Sequence, residues 1–158
     1  HIYSCYLDRL QPLVREGRIN ISPLTKDCID NGHLCYVLTA SSEERDALME
    51  HLRGAGIKAV IHYVPLHSSP AGKRLGRTSG DMSVTDEVSS HLLRLPLYYD
   101  MTEEDVTRVV ETVSEFYEQH DRHEENNEND CDPIVELHPL EGIENDIIQN
   151  VSETSTYL

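Results

Sequence analysis

Two histidines, a tyrosine and two prolines are gathered in HYVPLHSSPAGKRLG, residues 62–76, directly after an apolar run. Imidazole and phenol groups in such a loop can hydrogen-bond sugar hydroxyls or diphosphate oxygens without a fixed charge. Pro65 and Pro70 fix φ and remove amide donors, so the spacing predicts a stiff, extended loop that aims His62, Tyr63 and His67. No zinc pair is expected at His62 and His67, because no cysteine or carboxylate at ligand spacing joins them. Gly72, Lys73 and Arg74 make a small basic segment able to approach a diphosphate, but they lack the spacing of a nucleoside-triphosphate loop. Ser68 and Ser69 stand beside His67 with no nucleophile elbow and no third triad member. Arg94 is a lone cation inside LLRLPLYY, so it must find an anion or reach solvent.

The elements that position these residues follow from periodicity. Tyr6, Leu7, Leu10, Leu13 and Val14 recur at helical spacing, predicting a helix over 3–16 that Pro12 disturbs. A loop rich in Pro, Asp, Asn and Gly then leads to a buried strand over 34–40. Ser41 with Glu44 has the pattern of a reciprocal cap, and Ala47, Leu48 and Leu52 give the next helix its apolar stripe. Gly54 or Gly56 ends that helix in a left-handed conformation, and a second strand covers 57–63. Thr85 is expected to cap a short helix reaching His91. Pro96 marks LLRLPLYY as an edge strand or a bend. From Thr102, with Asp105 closing the cap, Val106, Val109, Val110, Val113, Phe116 and Tyr117 form a stripe broad enough to cover a sheet. Strands alternating with helices predict an α/β (α+β) layer: a short sheet covered by helices.

The net charge of −16 is uneven, because residues 118–158 hold 12 acids and a single base, Arg122. That stretch has no apolar period after Gln119 and is expected to be a disordered acidic tail, with a folded unit over 1–118 and the tail over 119–158. Such a surface repels phosphate backbones, so nucleic acid is not an expected partner. No run is long and apolar enough to span a membrane and no secretory leader is visible, so a soluble cytoplasmic protein is expected. Cys5, Cys28, Cys35 and Cys131 have no CxxC pairing and read as reduced thiols. The chain starts at His1 inside a helical pattern, which is expected of a piece of something longer.

The run GHLCYVLTASSEERDALMEHLRGAGIKAVIHYVPLHSSPAGKRLG, followed by LLRLPLYYDMTEEDVTRVVETV, resembles the C-terminal small domain of the DegT/DnrJ/EryC1/StrS sugar-nucleotide aminotransferases. Five segments agree in order: the strand start at His33 to Tyr36, the helix at Arg45 to Leu48, the Gly56 and Ile57 turn, the HYVPLH loop and the LPLY strand. Within that group it is most similar to enzymes making dTDP-4-amino-4,6-dideoxygalactose. The resemblance covers about residues 1–118.

The resemblance implies the small domain of a fold-type I enzyme using pyridoxal 5'-phosphate, active as a homodimer. Such an enzyme moves an amino group from L-glutamate to a 4-keto-6-deoxy sugar nucleotide. It implies substrate-binding roles for His62, Tyr63 and His67 and, for Arg94, a role on the donor carboxylate, while the residue's place in an apolar run gives a structural ion pair as the alternative. His33 matches a family histidine and is expected to pack. The Schiff-base lysine, the acid facing the pyridine nitrogen and the phosphate ligands belong to the family's large domain, and Lys26, Lys58 and Lys73 lie outside its lysine motif. No catalytic residue, no cofactor ligand and no metal ligand is therefore assigned, and the chain alone is expected not to transaminate. The alternative is a detached binding or assembly module of the same fold.

Overall fold

A computed structural model of the chain describes residues 1–21 and 31–129, with side chains through Arg122. The expected end segment over 134–150 and residues Cys28, Lys26 and Cys131 lie outside the described residues. The elements in order are α1 (Ile2–Arg15), β1 (Asn20–Ile21), β2 (Cys35–Leu38), α2 (Ser42–Gly54), β3 (Val60–Ile61), α3 (Pro70–Leu75), α4 (Ser83–His91), β4 (Leu92–Leu95) and α5 (Glu103–Asn129). The four strands form one antiparallel sheet in the order β1-β2-β4-β3.

Strand alternation divides the sheet into two faces. Cys35 and Val37 of β2 and Leu93 and Leu95 of β4 join the core with Tyr6, Leu10 and Leu13 of α1, Leu48 and Leu52 of α2, and the valine stripe of α5. Register then puts Tyr36, Arg94 and Val60 together on the opposite face, since Arg94 pairs with both Tyr36 and Val60. Arg94 is thus kept out of the apolar layer by the two-residue period of its strand.

The helix ends follow local chemistry. Ser41 accepts the Glu44 amide, but Glu44 does not return the bond, because its carboxylate accepts the Tyr117 hydroxyl at 2.6 Å instead. Half of the expected cap is therefore given to holding α2 against α5. At Thr102 the cap is reciprocal: the Thr102 hydroxyl accepts the Asp105 amide and the Asp105 carboxylate accepts the Thr102 amide. Gly56, at φ +75°, closes α2 with bonds from its own amide to Arg53 O and from the Ile57 amide to Leu52 O.

Several expectations about the fold need correcting, among them the strand expected over 57–63, which pairs only at Val60–Ile61. Of the edge strand or bend expected at Pro96, the edge strand is ruled out because β4 lies between β2 and β3; Pro96 sits just past the last paired residue, where the chain leaves the sheet and its missing amide breaks no ladder bond. Asn20 and Ile21, within the expected loop, pair with Leu38 and Val37. The helix expected to start at Thr85 starts at Ser83, where the Asp81 carboxylate accepts the Ser83 amide and hydroxyl. The last helix does not stop at Gln119 but continues to Asn129. His120 stacks on Phe116 and Asp121 pairs with Arg18 at 2.5 Å, so the start of the polar end is held without an apolar stripe.

Candidate functional site

The stretch from His62 to Gly76 leaves the sheet at β3 and folds in two parts. The extended part ends at Pro65, whose carbonyl then accepts the amides of Ser68 and Ser69. The loop is therefore not extended throughout, as the prolines suggested: Pro65 opens a turn, and Pro70 occupies the first position of α3, where its missing amide costs nothing. Ser69 caps α3 by accepting the Gly72 amide at 2.9 Å.

This bend sends the candidate side chains into different concavities. His62 and Tyr63, with ring centroids 5.1 Å apart, line a largely apolar groove of about 630 Å³ shared with Val84 and Val88 of α4 and Leu92. Tyr63 is 79% exposed, while the Nδ1 of His62 is buried and meets no hydrogen-bond partner among the described residues. His67 faces a neighbouring concavity of about 680 Å³ together with Gly72, Lys73, Arg77 and Thr78. Its Nε2 lies 2.8 Å from Asp86 Oδ1, which ties the loop to α4. Leu66 lines both hollows and divides them.

Arg94 stands apart from these residues. It lines a smaller cavity of about 180 Å³ with His33, Lys58 and Val60, and its Nε is buried without a partner among the described residues. The expected structural ion pair is thus absent among the described residues. His33, expected to pack, is exposed on the rim of this cavity, with its amide held by the Asn31 side chain at 3.0 Å. A guanidinium flanked by an ammonium and an imidazole makes a pocket suited to a small oxyanion.

Sequence reasoning missed Arg77 and overvalued Arg74, which does not line the cavity that Lys73 and Arg77 share. The available signal was the spacing: Lys73 and Arg77 are four apart and Arg74 is not in phase with both. It was weak because α3 ends at Leu75, before Arg77.

A pyridoxal phosphate site is implied by the resemblance, and the described residues do not build one alone. Lys58 and Lys73 are both exposed, and a hydrated ammonium lacks the desolvated pocket that makes a Schiff-base lysine nucleophilic. No helix among the described residues is long and apolar enough to cross a membrane.

A four-stranded antiparallel sheet, three core helices on one face and a polar loop projecting from β3 define a small α+β domain of the kind found in aminotransferases that use pyridoxal phosphate. The family model described as DegT/DnrJ/EryC1/StrS aminotransferase matches residues 1–114, and the chain belongs to that family. Over 102 residues it is 31% identical to the pleiotropic regulatory protein of Geobacillus stearothermophilus, covering 64% of this chain and 27% of that protein. Against the dTDP-3-amino-3,4,6-trideoxy-alpha-D-glucose transaminase of Streptomyces venezuelae it is 30% identical, covering 59% of this chain and 25% of the relative. Among solved structures, S. venezuelae DesV in complex with a ketimine intermediate superposes with a TM-score of 0.63 at 28% identity, covering 73% of this chain and 30% of that one. The Streptococcus pneumoniae sugar aminotransferase Spr1654 in its PMP form gives 0.58 at 26% identity, over 75% of this chain and 30% of the other. The chain therefore spans under a third of the length of these relatives.

Proposed function

We propose that this chain is the small-domain part of a pyridoxal-phosphate transaminase that moves an amino group from L-glutamate to a 4-keto-6-deoxy sugar nucleotide carried on dTDP. The parent works in the cytoplasm as a homodimer and makes an amino sugar for a surface polysaccharide. Residues 1–118 carry the domain and 119–158 the acidic extension, whose first part continues α5 to Asn129. The cofactor and its lysine are supplied by the further length that the matched relatives possess. The relatives' names favour sugar nucleotides, although the one quoted above is aminated at C3, so amination at C4 rests on the HYVPLHSSPAGKRLG and LLRLPLYY likeness.

One observation carries the reading. His62 and Arg94, both singled out by residue type and position, each hold a buried nitrogen that no described protein group satisfies. Buried polar atoms are nearly always paired, and both residues line concave surfaces, which favours a ligand as the missing partner. His62 and Tyr63 bind the sugar, His67 with Lys73 and Arg77 lies toward the diphosphate, and Arg94 with Lys58 receives a donor carboxylate.

The test uses the full-length protein. His62→Ala or Tyr63→Phe should lower sugar amination while the glutamate half-reaction, followed by the cofactor's absorption change, is less affected. Equal loss in both halves would contradict the assignment. A full-length protein that shows no cofactor spectrum and no amination would favour the detached binding or assembly module instead.

A further inference from the structure

We propose that His1, Cys5 and Glu103 form a site for one divalent transition-metal ion, with zinc the best match. His1 and Cys5 are four residues apart, and the Cys5 amide donates to the His1 carbonyl at 3.0 Å, so both side chains rise from the same side of the first turn of α1. Glu103 opens α5 beside them. His1 Nε2 lies 2.7 Å from Glu103 Oε1 and 3.9 Å from Cys5 Sγ, and the three ligand atoms all fall within 4.8 Å of one another.

Those separations suit a shared ion. With zinc bonds of about 2.0 to 2.3 Å and tetrahedral angles, ligand atoms lie roughly 3.3 to 3.7 Å apart, so the His1 and Glu103 atoms must open by about 0.6 Å. The Cys5 and Glu103 atoms, within 4.8 Å, must close by at most about 1.3 Å, within reach of rotamer changes at exposed side chains. Nitrogen, sulfur and carboxylate oxygen together favour a borderline-soft ion over magnesium or calcium, which take oxygen ligands. The carboxylate is already oriented: Arg9 donates to the Glu103 carbonyl at 2.8 Å and to Oε2 at 3.3 Å, leaving Oε1 turned toward His1. All three groups reach solvent, so an ion has a path in, and a fourth position stays open to water or another ligand. Binding releases the thiol proton of Cys5 to solvent. The ion links the first turns of two helices that otherwise meet through Arg9 and the core.

Cobalt(II) titrated into the reduced chain tests this directly, since a cysteine ligand gives a thiolate-to-cobalt charge-transfer band that zinc then abolishes by displacement. The band should appear at one equivalent, vanish in Cys5→Ser, and lose well over tenfold in affinity in His1→Gln and Glu103→Gln, since removing a direct ligand costs more than the roughly tenfold of an outer-shell change. Zinc should also raise the melting temperature of the unaltered chain and leave that of Cys5→Ser unchanged. Adding a residue before His1 should preserve the band, because the side chains and not a terminal amine hold the ion. Absence of the band, its persistence in Cys5→Ser, or its loss on that extension each overturns the proposal.

Discussion

A Cβ built on Gly72 would lie 1.6 Å from the carbonyl oxygen of Leu66. The first turn of α3 and the bend after Pro65 therefore meet backbone to backbone, at a distance only glycine permits. The partner atom cannot rotate away as a side chain would, so this contact fixes how far His67 is swung from His62.

Gly72→Ala should consequently break the bend without unfolding the domain. α3 contributes no residue to the core, so the melting temperature should fall little. The amides of Lys73 and Gly76, which bond to the Ser69 and Gly72 carbonyls, should lose protection in hydrogen exchange. Unchanged protection at both would refute the account of this loop.

The architecture was largely legible because periodicity and caps are local: Leu10 and Leu13, Ser41, Gly56 and Thr102 all act where the sequence placed them. β1 was not legible, since two residues carry no period and are recruited only by pairing with β2. The centre position of β4 depends on which strands neighbour it, which Pro96 does not encode. At the site, residue type picked out His62, His67 and Arg94, but not their division among three concavities. That division comes from Gly72 and from strand alternation acting at a distance.

Tyr6 and Tyr117 should make the fold sensitive to alkali. Burial is the main reason that both phenols are held well above their usual range, with Cys35 nearby adding to the effect at Tyr6 and the Glu44 carboxylate adding to it at Tyr117. A group whose folded pKa is raised contributes stability that is complete below its unfolded value, near 10 for tyrosine, and is lost as pH climbs toward the folded value. Urea midpoints should fall above about pH 10 and fall less steeply in Tyr117→Phe. A flat profile in the unaltered chain would exclude this coupling.

Replacing Tyr6 by Phe removes a hydroxyl whose main acceptor is the Pro96 carbonyl, with Met101 Sδ at 4.0 Å as a weaker one. The Tyr6 hydroxyl donates to the Pro96 carbonyl at 2.9 Å, joining α1 to the turn that ends β4. Its loss should cost about 1 kcal/mol by urea denaturation, with an unchanged denaturant slope. A neutral result would mean that water replaces the bond at no cost.

The Thr102 cap should govern the acid side. Asp105 is held below the usual carboxylate range, chiefly by the Thr102 amide and then by the Thr102 hydroxyl. A depressed folded pKa gives stability that is present above the unfolded value, near 3.9, and is lost as pH falls through the folded one. Asp105→Asn should flatten the acid limb of the stability profile, and Thr102→Ala should lower stability by about 1 kcal/mol at neutral pH. An acid limb unaltered in Asp105→Asn would assign it to other carboxylates.

Arg94 offers the sharpest separation between charge and geometry. Its neighbours on the strand ladder are Tyr36 and Val60, neither of which can neutralise it, and its buried Nε has no partner among the described residues. Lysine at this position keeps the charge but loses the planar fork, and it leaves an oxyanion with one bond where two were available. In the full-length protein, Arg94→Lys should raise the KM for the amino donor roughly tenfold, matching about 1.4 kcal/mol for one charge-assisted bond, with the sugar half-reaction nearly unchanged. Arg94→Met tests the structural alternative, because its stem preserves packing along Val60 while removing every donor. If Arg94→Met keeps the donor KM and instead lowers the melting temperature, the arginine serves the sheet and not the substrate.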